Sequence, residues 1–307
     1  MDGAFEQPRP ATVFEVSLDP DVSAERAFRA IGRSCVDQLQ ANERAVLQAR
    51  TPEAVHQMRV ALRRWRTALS VFRGLFEDRG AGIRQDLEWL AGELDEARDL
   101  DVFSAGAMAC SEVAKSHPAA FAALEAAVSR AKIRAYDRAT AAIGSDRYRK
   151  LLWEGARAIE ALAPSGADGE LAPSASSMAR RALRHQRKAI KAAGARLTKL
   201  DPPARHRLRI RVKKARYTAE MFGGLFRHPK RQRRFGRALK GLQDALGELN
   251  DIHVAENLAL RLAQDADAPE AGFAAGLIVN ARAPSEKALL ARSARAYDHF
   301  RGAEPFW

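Results

Sequence analysis

The chain has 307 residues, 47% of them hydrophobic, so it can bury a core; it contains no apolar run of about eighteen residues and opens without a secretory signal pattern. Its 51 Lys and Arg residues against 38 Asp and Glu residues give a formal net charge of +13, and only two cysteines are present. We therefore expect a reduced, cytoplasmic protein with an anionic partner, and neither membrane insertion nor secretion.

Helical periodicity runs through almost the whole chain and predicts an all-α fold. Residues 1–20 contain three prolines and are predicted to form a tail, in which 12–18 could be a short strand. Proline and glycine then separate the helices of a first half, 21–162. The residues 163–175 are predicted to be a linker, 176–302 a second half, and 303–307 a C-terminal tail.

One signature occurs in both halves, 150 residues apart. It runs from His56 to Arg66 in the first half and from His206 to Arg216 in the second half. A repeat of this kind indicates that the fold arose by duplication of one unit. Core residues are expected to survive duplication, because both copies need a core, but surface charges are not. The retained histidine and cations therefore indicate a function.

Each copy is predicted to form a helix with cations on one face and apolar residues on the other. Arg64 and Lys214 lie off these faces and are weaker candidates. Like charges at three- and four-residue spacings repel one another. No acidic residue occurs between Val55 and Arg73, which favours a polyanion receptor over an ordinary solvated surface. The two predicted basic faces consist of His56, Arg59, Arg63 and Arg66, and of His206, Arg209, Lys213 and Arg216.

The positive charge is concentrated in the second half. From Arg180 to Lys240 there are 22 basic and 2 acidic residues, a local charge of +20 (22 − 2), so the rest of the chain sums to −7 (13 − 20). This region is predicted to dominate the electrostatic field of the protein. One face of a predicted helix there carries Arg180, Arg184, Arg187, Lys188 and Lys191.

A second repeated element follows each signature, at an offset of 152 residues. It places Asp99 in the first half opposite Asp251 in the second half, at points where one helix would end and the next begin. A helix N-cap is the favoured interpretation of both residues, ahead of a catalytic or metal-binding role.

Motifs of catalysis are missing. The sequence has no phosphate-binding glycine loop, no His-Glu-x-x-His pair, no Cys-x-x-Cys pair and no serine nucleophile elbow. His56 and His206 could together hold a metal, but the neighbouring arginines would repel a cation. We therefore predict a binding protein without catalytic residues, cofactor or metal.

The chain resembles the CHAD family, the conserved histidine α-helical domain, over roughly residues 20–302. The resemblance implies two pseudo-symmetric helical bundles with a basic central cleft. It also implies binding of inorganic polyphosphate and, in bacteria, association with polyphosphate granules. Some relatives carry an N-terminal triphosphate tunnel enzyme domain, whose Glu-x-Glu-x-Lys signature is missing here, and this argues against a phosphohydrolase. The resemblance rests on the two signatures described above. It rests equally on the element that follows each of them: Arg98-Asp99-Leu100-Asp101-Val102 in the first half and Asn250-Asp251-x2-Val254 in the second half.

Inorganic polyphosphate also fits the residues themselves, because arginine grips phosphate oxygens with two bonds and lysine supplies a compact charge. Nucleic acid is disfavoured as a partner, since single-stranded binders interleave aromatic residues for base stacking. Trp65 is predicted to face the core, and only Tyr217 lies near a basic face. A scaffold that docks on acidic proteins or anionic membranes is the other alternative. The predicted polyphosphate site consists of the two basic faces together with Arg184, Arg187 and Lys188.

Overall fold

The structure, a computed structural model, describes residues 9–12, 14–76, 80–107, 115–162, 173–264, 269–282 and 285–307. This part of the chain contains no β-strand, which confirms the predicted all-α class. None of its helices is long and apolar enough to cross a membrane. The described residues form ten α-helices: α1 (Ala24–Ala49), α2 (Pro52–Val71), α3 (Gly80–Ala107), α4 (Pro118–Ile143), α5 (Asp146–Glu160), α6 (Ala175–Gly194), α7 (Pro202–Phe222), α8 (Pro229–Gln264), α9 (Pro269–Arg282) and α10 (Ser285–Gly302).

Local sequence signals explain where several helices begin. The side chain of Ser23 accepts a hydrogen bond from the backbone of Arg26 at 3.3 Å and caps α1. Asp201 caps α7 in the same way, accepting from the backbone of Ala204 at 2.7 Å. Both α2 and α7 have proline in their first turn, where the missing N–H costs no hydrogen bond.

The chain divides into two compact units that do not coincide with the halves of the sequence repeat. Unit 1 comprises residues 1–98 and 133–179, and unit 2 comprises 99–132 and 180–307. The helices α3, α4 and α6 each contribute residues to both units. Most of the predicted linker, 163–172, lies outside the described residues. The internal duplication and the basic cleft stay predictions.

In unit 1, α1 packs on α2 and α5 around a core of aromatic rings. Phe28 stands edge-on to Phe76, with ring centroids 4.5 Å apart. Trp65 of α2 is 1% exposed and meets Gly155 of α5. A Cβ atom at that glycine would lie 2.3 Å from the indole ring, so only glycine allows this close approach.

The N-terminal segment of unit 1 is held by side chains rather than by strand pairing. Asn42 donates to the carbonyl oxygen of Ala11 at 3.0 Å and accepts from its N–H at 3.1 Å. The carbonyl oxygen of Phe14 accepts from Ser34 at 2.8 Å and from Arg64 at 3.5 Å. The short strand predicted in this segment is therefore wrong for its described residues, because α1 and α2 already supply hydrogen-bond partners to the backbone.

The prediction that Asp99 and Asp251 are N-caps is also wrong. Asp99 lies inside α3 and Asp251 lies inside α8, both of which continue without interruption. Neither helix contains a proline after its first residue, so nothing in the sequence forces the backbone to leave the helical conformation there.

In unit 2, α8 packs on α7, α9 and α10. Its Phe235 meets Phe300 of α10 at a centroid distance of 5.7 Å and Phe306 at 5.8 Å. The residues after α10, which we predicted as a C-terminal tail, belong to this core: Phe306 is fully buried, and the ring of Trp307 lies 4.9 Å from that of Phe235.

Candidate functional site

The two repeated helices separate apolar from cationic residues as predicted. On α2, His56, Arg59, Arg63 and Arg66 are all half-buried on one side. On α7, His206 is exposed, and the three cations that follow it on the face are half-buried. The opposite sides and the residues just after each helix are buried: Met58, Leu62, Trp65, Leu69, Phe72 and Phe76 in the first copy, and Leu208, Val212, Ala215, Ala219, Phe222 and Phe226 in the second.

The α2 face is opposed by acidic residues of α3. Arg59 forms an ion pair with Asp95 and lies 3.4 Å from the carbonyl oxygen of Ala91. Arg66 donates to the Glu88 carboxylate at 2.6 Å. The inference that acidic residues are kept away from this face is therefore wrong in three dimensions. It was based on residues adjacent in sequence, and α3 supplies the carboxylates from elsewhere.

His56 lies among cations of unit 1 and is disposed to stay neutral. Burial is the largest cause that lowers its pKa below the ordinary value of 6.5, and the charge of Arg98 is the next. Arg63 and Arg59 lower the pKa further, and only Glu53 acts in the opposite direction. At neutral pH the ring is thus an uncharged hydrogen-bonding group. A nearby anion would have the opposite effect and would favour the protonated form of His56.

The α7 face in unit 2 has a different set of neighbours. His206 Nδ1 lies 2.6 Å from Oδ1 of Asn250 in α8. Arg209 Nη2 lies 3.7 Å from Asp251, so this aspartate orients a predicted binding residue instead of capping a helix. Arg216 is paired with Glu220 of its own helix at 3.0 Å.

The two histidines therefore occupy matching positions with unlike partners. In the repeat, Arg98 of the first half corresponds to Asn250 of the second half. The first repels a protonated His56, whereas the second holds His206 through a neutral amide. The two faces share residue types but differ in electrostatics.

Arg64 of the repeated signature is not part of the surface. It is 7% exposed, and Nη1 lies 3.4 Å from Oε1 of Gln38 and 3.5 Å from Oγ of Ser34. Its position off the basic face was predicted from the helical periodicity and is confirmed.

The α6 stripe lines a pocket in unit 2. The cavity measures about 620 Å³. Its walls are Arg184, Arg187, Lys188, Lys191, Ala192, Pro305 and Trp307. Arg180, the first member of the predicted stripe, is not among them, because its guanidinium lies over the ring of Phe226 at 5.7 Å.

The cations of this pocket have two different roles. Arg187 donates to the carbonyl oxygens of Arg301 and Ala303 at 3.3 and 3.2 Å, and so fastens the last turn of α10 and the first residue after it to α6. Within the described part of the chain, no carboxylate lies within ion-pair distance of Arg184, Lys188 or Lys191. These three cations are directed at the pocket rather than at protein acids.

Lys191, Pro305 and Trp307 were missing from the predicted site. Helical periodicity placed Lys191 on the right stripe, and that signal could have included it. No sequence pattern places the residues after α10 beside α6, because that contact depends on how the backbone turns after Gly302.

A metal centre has no support in the described residues, where no group of three or more His, Cys, Asp or Glu side chains could hold an ion. The thiol of Cys35 is buried, and burial raises its pKa to about 12. It is therefore a core residue and not a nucleophile.

The comparisons with known proteins agree with this fold. The chain is 31% identical to the CHAD domain from the plant Ricinus communis, known as a crystal structure, with a TM-score of 0.81 over 96% of this chain and 99% of that one. A structure of PptA from Streptomyces chartreusis shares the fold, with 18% identity, a TM-score of 0.68, and coverage of 90% of this chain and 100% of the other. No curated protein matches the sequence. The CHAD family model matches residues 30–260, and the chain belongs to the CHAD domain family.

Proposed function

We propose that this protein binds inorganic polyphosphate without catalysing a reaction, and that it associates with polyphosphate granules in the cytoplasm. The observation that carries the proposal is the α6 pocket. Arg184, Lys188 and Lys191 line it, and the described residues place no carboxylate against them. A polyanion that enters this pocket meets cations whose charge is not already neutralised, and membership of the CHAD family supports the same ligand.

The α2 and α7 faces contribute in a different way. Four of their arginines are paired with carboxylates, for example Arg66 with Glu88 and Arg216 with Glu220. Exposed pairs of this kind stabilise a protein by about 0–1 kcal/mol each, so a phosphate can replace the carboxylate at little cost. The acids keep the guanidinium groups oriented until the ligand arrives. We expect these faces to bind more weakly than the pocket.

Competition between polyanions tests the ligand class. Long-chain polyphosphate labelled at one end would be titrated with the protein and then displaced by unlabelled polyphosphate, single-stranded DNA or duplex DNA of equal charge. We expect polyphosphate to displace the label at the lowest concentration, because the pocket offers one ring, Trp307, which can stack with only one base of a strand, whereas the cations of the pocket and of both faces all act on phosphate. Equal or tighter binding of single-stranded DNA would replace polyphosphate with nucleic acid as the ligand.

The α7 face is tested by Arg209→Ala with Lys213→Ala. Both side chains point away from the buried stripe of α7, so helicity and the melting temperature should stay close to those of the wild type. The affinity for polyphosphate should fall. A variant that unfolds while binding per folded molecule stays unchanged would show that the α7 cations are structural.

Catalysis and localisation have separate tests. Phosphate release from polyphosphate during prolonged incubation should equal that of buffer alone, and release above that level would make the protein a hydrolase. A fluorescent fusion should accumulate on granules in cells that contain polyphosphate. A uniform distribution in such cells would overturn the proposed localisation.

A further inference from the structure

The α6 pocket contains one group that a phosphate chain cannot use. Trp307 places an indole ring beside Arg184, Lys188 and Lys191. The ring is half-buried and is braced edge-on by Phe235 and Phe306, at centroid distances of 4.9 and 5.0 Å. A braced aromatic ring next to several cations is the combination that binds a base together with its phosphates.

We infer that the α6 pocket binds a nucleoside polyphosphate, with the base stacked on Trp307 and the phosphates held by the α6 cations. The pocket of about 620 Å³ falls in the range of small-molecule sites, roughly 300–1,000 Å³. The ligand lies between two segments of the chain: α6 supplies the cations for the phosphates, and the residues after α10 supply the indole ring for the base.

Spacing along the helix supports a ligand with several phosphates. Arg184, Lys188 and Lys191 span seven residues, or about 10 Å at 1.5 Å per residue, on one side of α6. A short chain of phosphates can contact all three cations over that length with their side chains extended outward, whereas a single phosphate would require the three long side chains to converge on one point. A single ring also serves one base, which favours a mononucleotide over a nucleic-acid strand.

Arg187 is a positioning residue in this arrangement. Its two hydrogen bonds, to the carbonyl oxygens of Arg301 and Ala303, fix the chain just before Pro305 and Trp307. The guanidinium of Arg187 thus affects the ligand indirectly, by holding in place the segment that carries Trp307. The predicted role of Arg187 as a phosphate ligand is replaced by this one in the nucleotide site.

The nucleotide site uses the same α6 cations as the proposed polyphosphate site. The inference does not depend on polyphosphate binding, however, because only a nucleotide has a base that can stack on Trp307. Titration calorimetry with ATP and with tripolyphosphate, both without divalent cations, compares ligands of similar charge with and without a base. Stacking on one ring predicts that ATP binds roughly 5- to 150-fold more tightly. Equal affinities of the two ligands for the wild-type protein would overturn the inference, and this comparison needs no variant.

Trp307→Leu locates the effect. It keeps an apolar side chain on Phe235 but removes the stacking surface, so the affinity for ATP should fall at least about 5-fold while that for tripolyphosphate stays the same. Trp153→Leu is the matched control, because Trp153 is 61% exposed on α5 of unit 1 and does not line the pocket. An equal loss of both ligands in Trp307→Leu, or an equal loss of ATP in the control, would refute the assignment.

Two further arms separate the possible ligands. A short single-stranded DNA that binds more tightly than ATP at equal charge would replace the mononucleotide with a strand. Long-chain polyphosphate should still bind Trp307→Leu. ATP binding without any polyphosphate binding in the wild type would overturn the proposed function and leave this inference standing.

Discussion

The double substitution Arg184→Ala with Lys188→Ala measures how much of the polyphosphate affinity comes from the α6 pocket. Both cations line the pocket, and among the described residues neither has a carboxylate partner whose release would offset the loss. Each contact between a cation and a flexible polyanion adds about 0.7 to the steepness of log K plotted against log salt concentration. The variant removes two such cations, so its plot should be less steep by about 1.4. If the two cations contribute nothing to binding near 1 M salt, a slope difference of about 1.4 means that the variant binds about 25-fold more weakly than the wild type at 0.1 M salt.

The assay is a titration of labelled polyphosphate at four or five salt concentrations, with the wild type and the variant side by side. Lys230→Ala with Arg234→Ala is the matched control. It removes the same two residue types at the same four-residue spacing, from exposed positions on α8 that do not line the pocket. A salt slope that does not change in the pocket variant, or an equal change in the α8 variant, would show that net charge and not a site determines the affinity.

Trp65→Ala should lower the free energy of unfolding by about 3–5 kcal/mol in a denaturant titration, because its fully buried ring is removed from the core of unit 1. Arg59→Ala with Arg63→Ala should weaken polyphosphate binding less than the pocket variant does, while circular dichroism and melting stay unchanged; an equal or larger loss would make α2 the main site. Since burial and neighbouring cations lower the pKa of His56 in the folded protein, its contribution to stability is fully present above about pH 6.5 and is lost in melting curves as the pH falls from there through the lowered pKa of the folded state. A bound polyanion reverses that effect, so affinity should rise as the pH falls, and His56→Gln with His206→Gln should flatten the dependence; an unchanged slope would leave the histidines as structural residues.

Helical periodicity was sufficient for much of the fold. The positions of Met58, Leu62 and Trp65 on the buried side of α2 follow from spacings of three and four residues, as does the burial of Leu208 and Val212 on α7. These predictions succeed because one helix determines which of its own residues share a face, whatever it packs against.

The electrostatics of the site could not be predicted in that way. Asp95 and Glu88 reach the α2 face only because α3 folds against it, and Asp251 reaches Arg209 through α8. A helical wheel contains no information on contacts between helices. The same limitation hid Trp307, which joins the α6 pocket through the path of the chain after α10.

The sharing of α3 and α4 between the units has a consequence for how the chain can be cut. The repeat suggests a break near residues 163–175, but a fragment that ended there would contain 99–132 without the residues 180–307 that complete unit 2. Conversely, 180–307 alone would lack 99–132. The first fragment would keep nearly all of unit 1 together with an incomplete piece of unit 2, and neither fragment would contain unit 2 whole, so the two halves of the repeat cannot be separated at this linker without dividing a compact unit.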